Sequence, residues 1–135
     1  MAGVKLAGMT RALMMMAGMH GFLAVALGAF GAHGLRGRMA QLEDGAQRLE
    51  WWGTAAQYHL VHALAIGVAA VLMTRAPGPA SVAGIAFSVG ALLFSGSLYT
   101  MTLTGIRVLG AITPLGGLAF LVGWAALVVA GWQLR

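Results

Sequence analysis

The stretch APGPASVAGIAFSVGALLFSGSLYTMTLTGI, residues Ala76–Ile106, runs 31 residues without a charged side chain. A bilayer core of about 30 Å takes about 20 apolar residues of helix, so this stretch is long enough to cross once and too short to cross twice. Three more stretches match it: Ala12–Leu35 with 24 residues, Trp51–Thr74 with 24 and Val108–Leu134 with 27. Together the four hold 106 of the 135 residues, which leaves little chain outside them. Backbone N–H and C=O groups in hydrocarbon must be paired within the protein, so each stretch reads as a helix. Four strands are too few for a membrane barrel, and the alternating period of one is absent. The expected fold is all-α: one domain over residues 1–135, an integral membrane four-helix bundle.

Composition agrees. Hydrophobic residues make up 60% of the chain and charged residues 8%, and the mean hydropathy is +0.87. A soluble domain carries about 25% charged residues. With so few, it would expose apolar patches large enough to aggregate. The net charge of +5 is spread over loops and termini with no Lys/Arg run, so a nucleic-acid partner is not expected. Basic loops beside spans meet anionic lipid headgroups instead. The chain has no cysteine, which removes disulfides, thiol catalysis and cysteine-ligated clusters.

Working outward, span one is expected at about residues 12–32. Lys5 and Arg11 resemble the basic start of a signal peptide, but the uncharged run exceeds the usual apolar core of one and contains His20, so a retained span is the better reading. Gly34–Glu50 holds six charges, with Leu35, Met39, Leu42, Ala46 and Leu49 at helical spacing between them. It reads as a short amphipathic helix in the interface between spans one and two. Span two is expected at about 53–73, after the interfacial Trp51 and Trp52. The Arg75–Pro79 loop leads to span three at about 80–103, and span four follows at about 114–132 with Pro114 in its first turn. Trp132 and Arg135 would anchor its far end. Four spans place both termini on one side. Cations are tied four to four across the membrane, while all three acids lie on the Arg36 side, so cytoplasmic termini are the expected orientation of this multi-pass protein.

Lipid tails are as apolar as leucine, so helices in a bilayer associate through small residues. Ser81, Gly84, Ser88, Ala91 and Ser95 form such a seam on span three. Gly21, Gly28 and Gly31 serve span one, and Gly116, Gly117, Gly123 and Gly131 serve span four. No acidic residue lies in any span, which disfavours a proton-coupled exporter. Neither a phosphate-binding glycine loop with lysine nor a serine nucleophile elbow is present. Four histidines remain. Counted along the helices, His20 and His62 share nearly one depth, and His33 lies near the level of His59. Adjacent spans are therefore expected to present His20 to His62, or His33 to His59. Such pairs can ligate haem or a metal or pass a proton. Neutral histidines bonded to Ser, Thr, Gln57 or backbone carbonyls are the simpler expectation, because no carboxylate or cysteine completes a metal site. The hydroxyl-rich end of span three, Ser95 to Thr104, meets Arg107. It could hold an anionic headgroup, or it is an interfacial cap with Tyr99 in the aromatic belt.

Four segments resemble a known family: Leu27–Leu35 (LGAFGAHGL), Thr54–Ala65 (TAAQYHLVHALA), Phe94–Tyr99 (FSGSLY) and Ile112–Gly117 (ITPLGG). The family is the domain of unknown function 423 family, also called uncharacterised protein family 0382. Its members are small bacterial inner-membrane proteins with relatives in eukaryotes. The resemblance covers essentially the whole chain. It implies four membrane helices and no established activity. It places His33 and His62 on motif positions, and leaves His20 off the motifs and His59 at a variable position. The candidate ligand-binding residues are therefore His33, Tyr58, His62, Ser95, Ser97 and Tyr99, followed by Arg107. No catalytic residue, metal site or cofactor is expected. The expected role is non-enzymatic: binding lipid or another membrane protein, or self-association, in membrane assembly. The alternatives are a small transporter or channel with a His/Ser/Thr-lined path, and a haem- or metal-binding redox subunit.

Overall fold

The computed structural model describes residues 2–134. Helix α1 covers Ala2–Phe30 and runs through a π-helical turn, Gly31–Leu35, into the four-residue α2, Arg36–Met39. Helix α3 covers Gly45–Leu72, α4 Pro77–Thr104 and α5 Thr113–Gln133, with a 3₁₀ turn at Arg107–Ala111. No strand occurs among the described residues. Four helical runs are long and apolar enough to cross a membrane. Arg135, expected to anchor the end of span four, lies outside the described residues.

Helix ends follow local chemistry. Pro77 opens α4 in its first turn, where a missing N–H costs nothing. Gly105 closes α4 with φ +75°, and its N–H reaches the Met101 carbonyl at 2.9 Å. Only glycine enters that left-handed conformation without a Cβ penalty. The helix containing span one begins ten residues before the expected start at Ala12. Its continuous run, Gly3–Met39, is 37 residues and therefore about 55 Å long, well beyond a hydrocarbon core. Exposed Lys5 and Arg11 ride on that extension.

The region between spans one and two is more compact than the pattern of Gly34–Glu50 suggests. Its short helix is α2 alone, continuous with α1. A turn over residues 40–44 follows, and Gly45 already starts α3. A Cβ at Gly45 would fall on the Met39 carbonyl, so the chain can reverse there only through glycine.

The helices pack as a bent row in the order α1, α3, α4, α5. Among the described residues α1 and α5 are not packed together, and α5 leans along α4 while only grazing α3. One buried cluster joins Leu13, Ile66, Ala69, Ala70, Phe87 and Phe120; the other, near the α2 end, joins Leu35, Met39, Trp52, Ala55, Leu98 and Met101. Small residues carry the contacts. Along α1 and α3, Ala17 meets Gly67, Gly21 meets Ala63 and Gly28 meets Ala56. Leu13 of α1 lies on Gly84 of α4. Between α4 and α5, Phe87 rests on Gly123, Phe120 on Gly90, and Gly116 touches the Phe94 backbone. Gly84, Ser88, Ala91 and Ser95 are buried as the seam on span three requires. Ser81 is only half-buried and donates to the Gly78 carbonyl. Gly117 and Gly131 face open space, so they are not packing residues: their direction on α5 points away from α4.

Gly116→Ala should push α4 from α5 and cost about 1–3 kcal/mol by overpacking, because the new Cβ would fall on the Phe94 backbone nitrogen. Gly117→Ala should be neutral or slightly stabilising. Thermal unfolding of both variants in the same detergent checks the contrast.

Candidate functional site

Helix α3 carries Tyr58, His59 and His62 within five residues. Positions three apart on an α-helix differ by about 60° in direction. That angle is enough to send His59 and His62 to different neighbours. His59 faces α1 and α4, and His62 faces α4 and α5.

Both ring nitrogens of His62 are engaged. Its Nδ1–H donates to the Tyr58 carbonyl at 2.7 Å, and its Nε2 accepts the Trp124 indole N–H at 3.2 Å. A carbonyl only accepts and an indole only donates, so the tautomer is set and the ring is neutral. The imidazole stacks flat on Phe120, with centroids 3.4 Å apart and 7° between planes. Tyr58 stacks on Phe94 at 4.6 Å, and Phe87 meets the Trp124 ring edge-on at 5.2 Å.

Because α5 leans on α4 and not on α3, this aromatic floor is left open on one side. The result is a groove of about 600 Å³, lined by Tyr58, His62, Phe94, Gly117, Phe120 and Trp124 among others. A recess of about 310 Å³ with Gln57 and Val61 adjoins it through Tyr58, His62 and Trp124. Tyr58 is exposed, and its hydroxyl makes no hydrogen bond among the described residues. Trp124 and Phe120 did not stand out in the sequence. The available signal was an indole in the middle of a span, whose N–H needs an acceptor in hydrocarbon.

The other face of α3 holds a polar chain. His20 Nδ1 and His59 Nε2 are 2.9 Å apart, and His59 Nδ1 lies 3.5 Å from the Tyr99 hydroxyl. All three side chains are buried. Tyr99 packs on Trp52, whose indole N–H donates to the Leu27 carbonyl at 2.7 Å just before the π turn. A Cβ at Gly31 would strike that indole, so the close approach requires glycine. The expected partners His20–His62 and His33–His59 are therefore replaced by His20–His59. His20 and His62 do stand near one level, since Gly21 meets Ala63, but direction around α3 turns His62 away from α1; Gly31 against Trp52 sets His33 about two helical turns from the level of His59.

The remaining candidates scatter. Exposed His33 sits on the π turn and lines neither the groove nor its recess. Ser95 donates to the Ala55 carbonyl of α3 at 2.9 Å, tying α4 to it. Ser97 donates to the Phe94 carbonyl and shares a 2.8 Å hydrogen bond with Thr113. Arg107 reaches Asp44 at 3.4 Å and lies over Trp51, 5.9 Å from the ring centre. Asp44 also takes a 2.8 Å bond from Arg48, which donates in turn to the Thr102 carbonyl. The hydrogen bond from Arg48, helped by Arg107, holds the Asp44 carboxyl below the usual carboxylate range. Tyr58 and His62 thus converge on one groove, Tyr99 belongs to the histidine chain, and Ser95, Ser97 and Arg107 make structural ties. Among the described residues no three His, Asp or Glu side chains come together as a metal site.

Comparison with known proteins gives a consistent family. Residues 27–117 match the family model described as protein of unknown function (DUF423). The chain is 50% identical over 110 residues to the UPF0382 membrane protein YwdK of Bacillus subtilis, covering 80% of this chain and 85% of that one. It is 38% identical over 127 residues to the UPF0382 inner membrane protein YgdD of Escherichia coli, covering 93% of each. The UPF0382 membrane protein SAB0533 of Staphylococcus aureus is 38% identical over 115 residues, 85% of this chain and 90% of that one. No solved structure matches.

His62→Phe should keep the stacking on Phe120, leave the Trp124 N–H without an acceptor, and cost about 1–3 kcal/mol. Adding Trp124→Phe should recover part of that loss, and a double-mutant cycle on unfolding free energies reads the coupling. The Asp44 cluster also leaves a pH signature. Its carboxyl is lowered on folding, so its stabilisation is complete above the ordinary carboxylate pKa and is lost as pH falls through the lowered one. The difference in melting temperature between wild type and Asp44→Asn should therefore shrink toward strong acid, and also with added salt.

Proposed function

The chain belongs to the DUF423 family of membrane proteins, and on that premise we propose that it is a non-enzymatic, multi-pass inner-membrane protein that holds the apolar tail of a lipid. The observation that carries the reading is the aromatic groove between α3 and α5, lined by residues of the membrane-crossing helices. Flat rings on its floor offer an acyl or isoprenoid chain more contact than mobile bilayer lipid does. The free Tyr58 hydroxyl and the Gln57 amide at the adjoining recess supply polar anchors for an ester or headgroup. A hydrolytic role lacks a base, since both His62 nitrogens are already bonded. A transport path draws less support, because Ser88, Ser95 and Thr102 all donate to backbone carbonyls.

The Escherichia coli relative's name places that protein in the inner membrane, and the same location is proposed for this one. Cytoplasmic termini fit the ion pairing. Arg48 and Arg107 share Asp44 on the far side, whereas Lys5, Arg11 and Arg75 form no ion pair among the described residues.

Gly117→Leu tests the groove. Gly117 lines it, and a Cβ there meets nothing within 4 Å, so leucine enters the space without touching the backbone. Native mass spectrometry from mild detergent should show a lipid retained by wild type. Retention should fall about tenfold in the variant, equivalent to about 1.4 kcal/mol, at unchanged melting temperature. Equal retention by both proteins, or none by wild type, would sink the proposal.

A further inference from the structure

Of the three buried histidines, His62 cannot take a proton without losing a bond. Its Nδ1–H already faces a carbonyl, and a proton on Nε2 would meet the Trp124 N–H head-on. The His20–His59 pair is different, and we infer that it is a one-proton binding site buried between α1, α3 and α4. This inference is independent of the lipid groove, which lies on the other face of α3.

The bookkeeping follows from donor and acceptor roles. In the neutral pair one proton lies between His20 Nδ1 and His59 Nε2, 2.9 Å apart. Two polarities are open. In one, the Tyr99 hydroxyl donates to His59 Nδ1, and His59 Nε2–H donates to His20 Nδ1. His20 then carries its one ring proton outward on Nε2. In the other, His20 Nδ1–H donates to His59 Nε2, and His59 Nδ1–H donates to the Tyr99 oxygen. His20 Nε2 is then a bare acceptor. That atom has no protein partner, yet no fully buried side-chain nitrogen lacks one among the described residues. It is therefore the ring nitrogen of the pair open to an outside proton carrier.

A proton arriving at His20 Nε2 in the second polarity breaks no hydrogen bond. Moving the central proton from His20 Nδ1 to His59 Nε2 then passes the charge to His59, which donates to both His20 and Tyr99. A hydroxyl can accept as readily as donate, so Tyr99 at 3.5 Å serves both polarities by rotating. A second proton would set two N–H groups face to face and break the hydrogen bond between His20 and His59. The capacity of the site is therefore one.

The surroundings leave the pair to itself. Its facing titratable groups are His20 from α1, His59 from α3 and Tyr99 from α4, and α5 gives it no hydrogen bond or ring contact among the described residues. The charged residues toward the helix N-termini, Arg11 on α1 and Glu50 on α3, each stand nine residues away, roughly 13 Å along the axis. No carboxylate competes for the proton, so its arrival is felt by the packing of α1 on α3.

Solid-state NMR of the whole chain, labelled with ¹⁵N-histidine and held in lipid vesicles, reads this directly. In a titration that brackets the ordinary imidazole pKa of about 6.5 and extends well into acid, the ring signals of His20 and His59 should move together in one step. The uptake over that range should be one proton per chain, with an apparent pKa that belongs to the pair and not to either ring. His62 should stay in its Nδ1–H form throughout. His20→Gln keeps a side chain able to bond His59 and should abolish the joint step, leaving His59 to titrate alone. If that variant fails to fold, the wild-type titration still decides. Two separate steps, uptake of two protons, no histidine titration while the chain is folded, or a His62 signal moving with the pair would each overturn the inference.

Discussion

Lipid gives one helix no hydrophobic reason to leave it for another, so this fold stands on how closely its backbones can approach. Ring-on-glycine contacts meet that need at the α4–α5 seam. Phe87 sits on Gly123 and Phe120 on Gly90, from opposite helices, while Gly116 brings the α5 backbone against Phe94. Each ring replaces mobile lipid with fixed van der Waals contact that a Cβ would abolish. Since α5 is committed to α4 in this way, it cannot also close on α3. The aromatic floor between them stays open, and the groove is a consequence of the seam.

The same environment governs the polar side chains. In hydrocarbon a histidine or tryptophan without a partner is costly, and no fully buried side-chain nitrogen or oxygen among the described residues is left without one. The two faces of α3 meet this requirement differently. On the α5 side, fixed donors and acceptors clamp His62 in one state. On the α1 side, His20, His59 and Tyr99 are bonded only to groups that can exchange roles. One face is therefore chemically rigid and the other permissive, although both are buried.

At the α2 end the helices are joined by geometry and charge together. Arg48 of α3 bonds Asp44 and the Thr102 carbonyl, and its own carbonyl accepts the Thr102 hydroxyl at 3.1 Å. The guanidinium occupies the space that a side chain at Gly105 would need. The left-handed residue ending α4 thus also makes room for the arginine that ties α4 to α3. Nearby, Trp52 closes onto Gly31 and the Leu27 carbonyl, which fixes α1 to α3.

The sequence by itself determined the class of the molecule and the number of its crossings, because the cost of charge in hydrocarbon is written one residue at a time. Uncharged runs such as Ala76–Ile106 need no partner to be read. It also marked Tyr58 and His62, through a motif, and Gly84, Ser88 and Ser95, through their period. Tertiary structure alone decided which histidine meets which. His59 and His62 lie on one helix at similar depth, yet about 60° of rotation gives one to α1 and the other to α5. Depth follows from counting along a chain, whereas direction depends on where neighbouring helices stand. His33, exposed on a π turn, and Trp124, drawn to His62 from another helix, were placed by that same packing. No single span contains it.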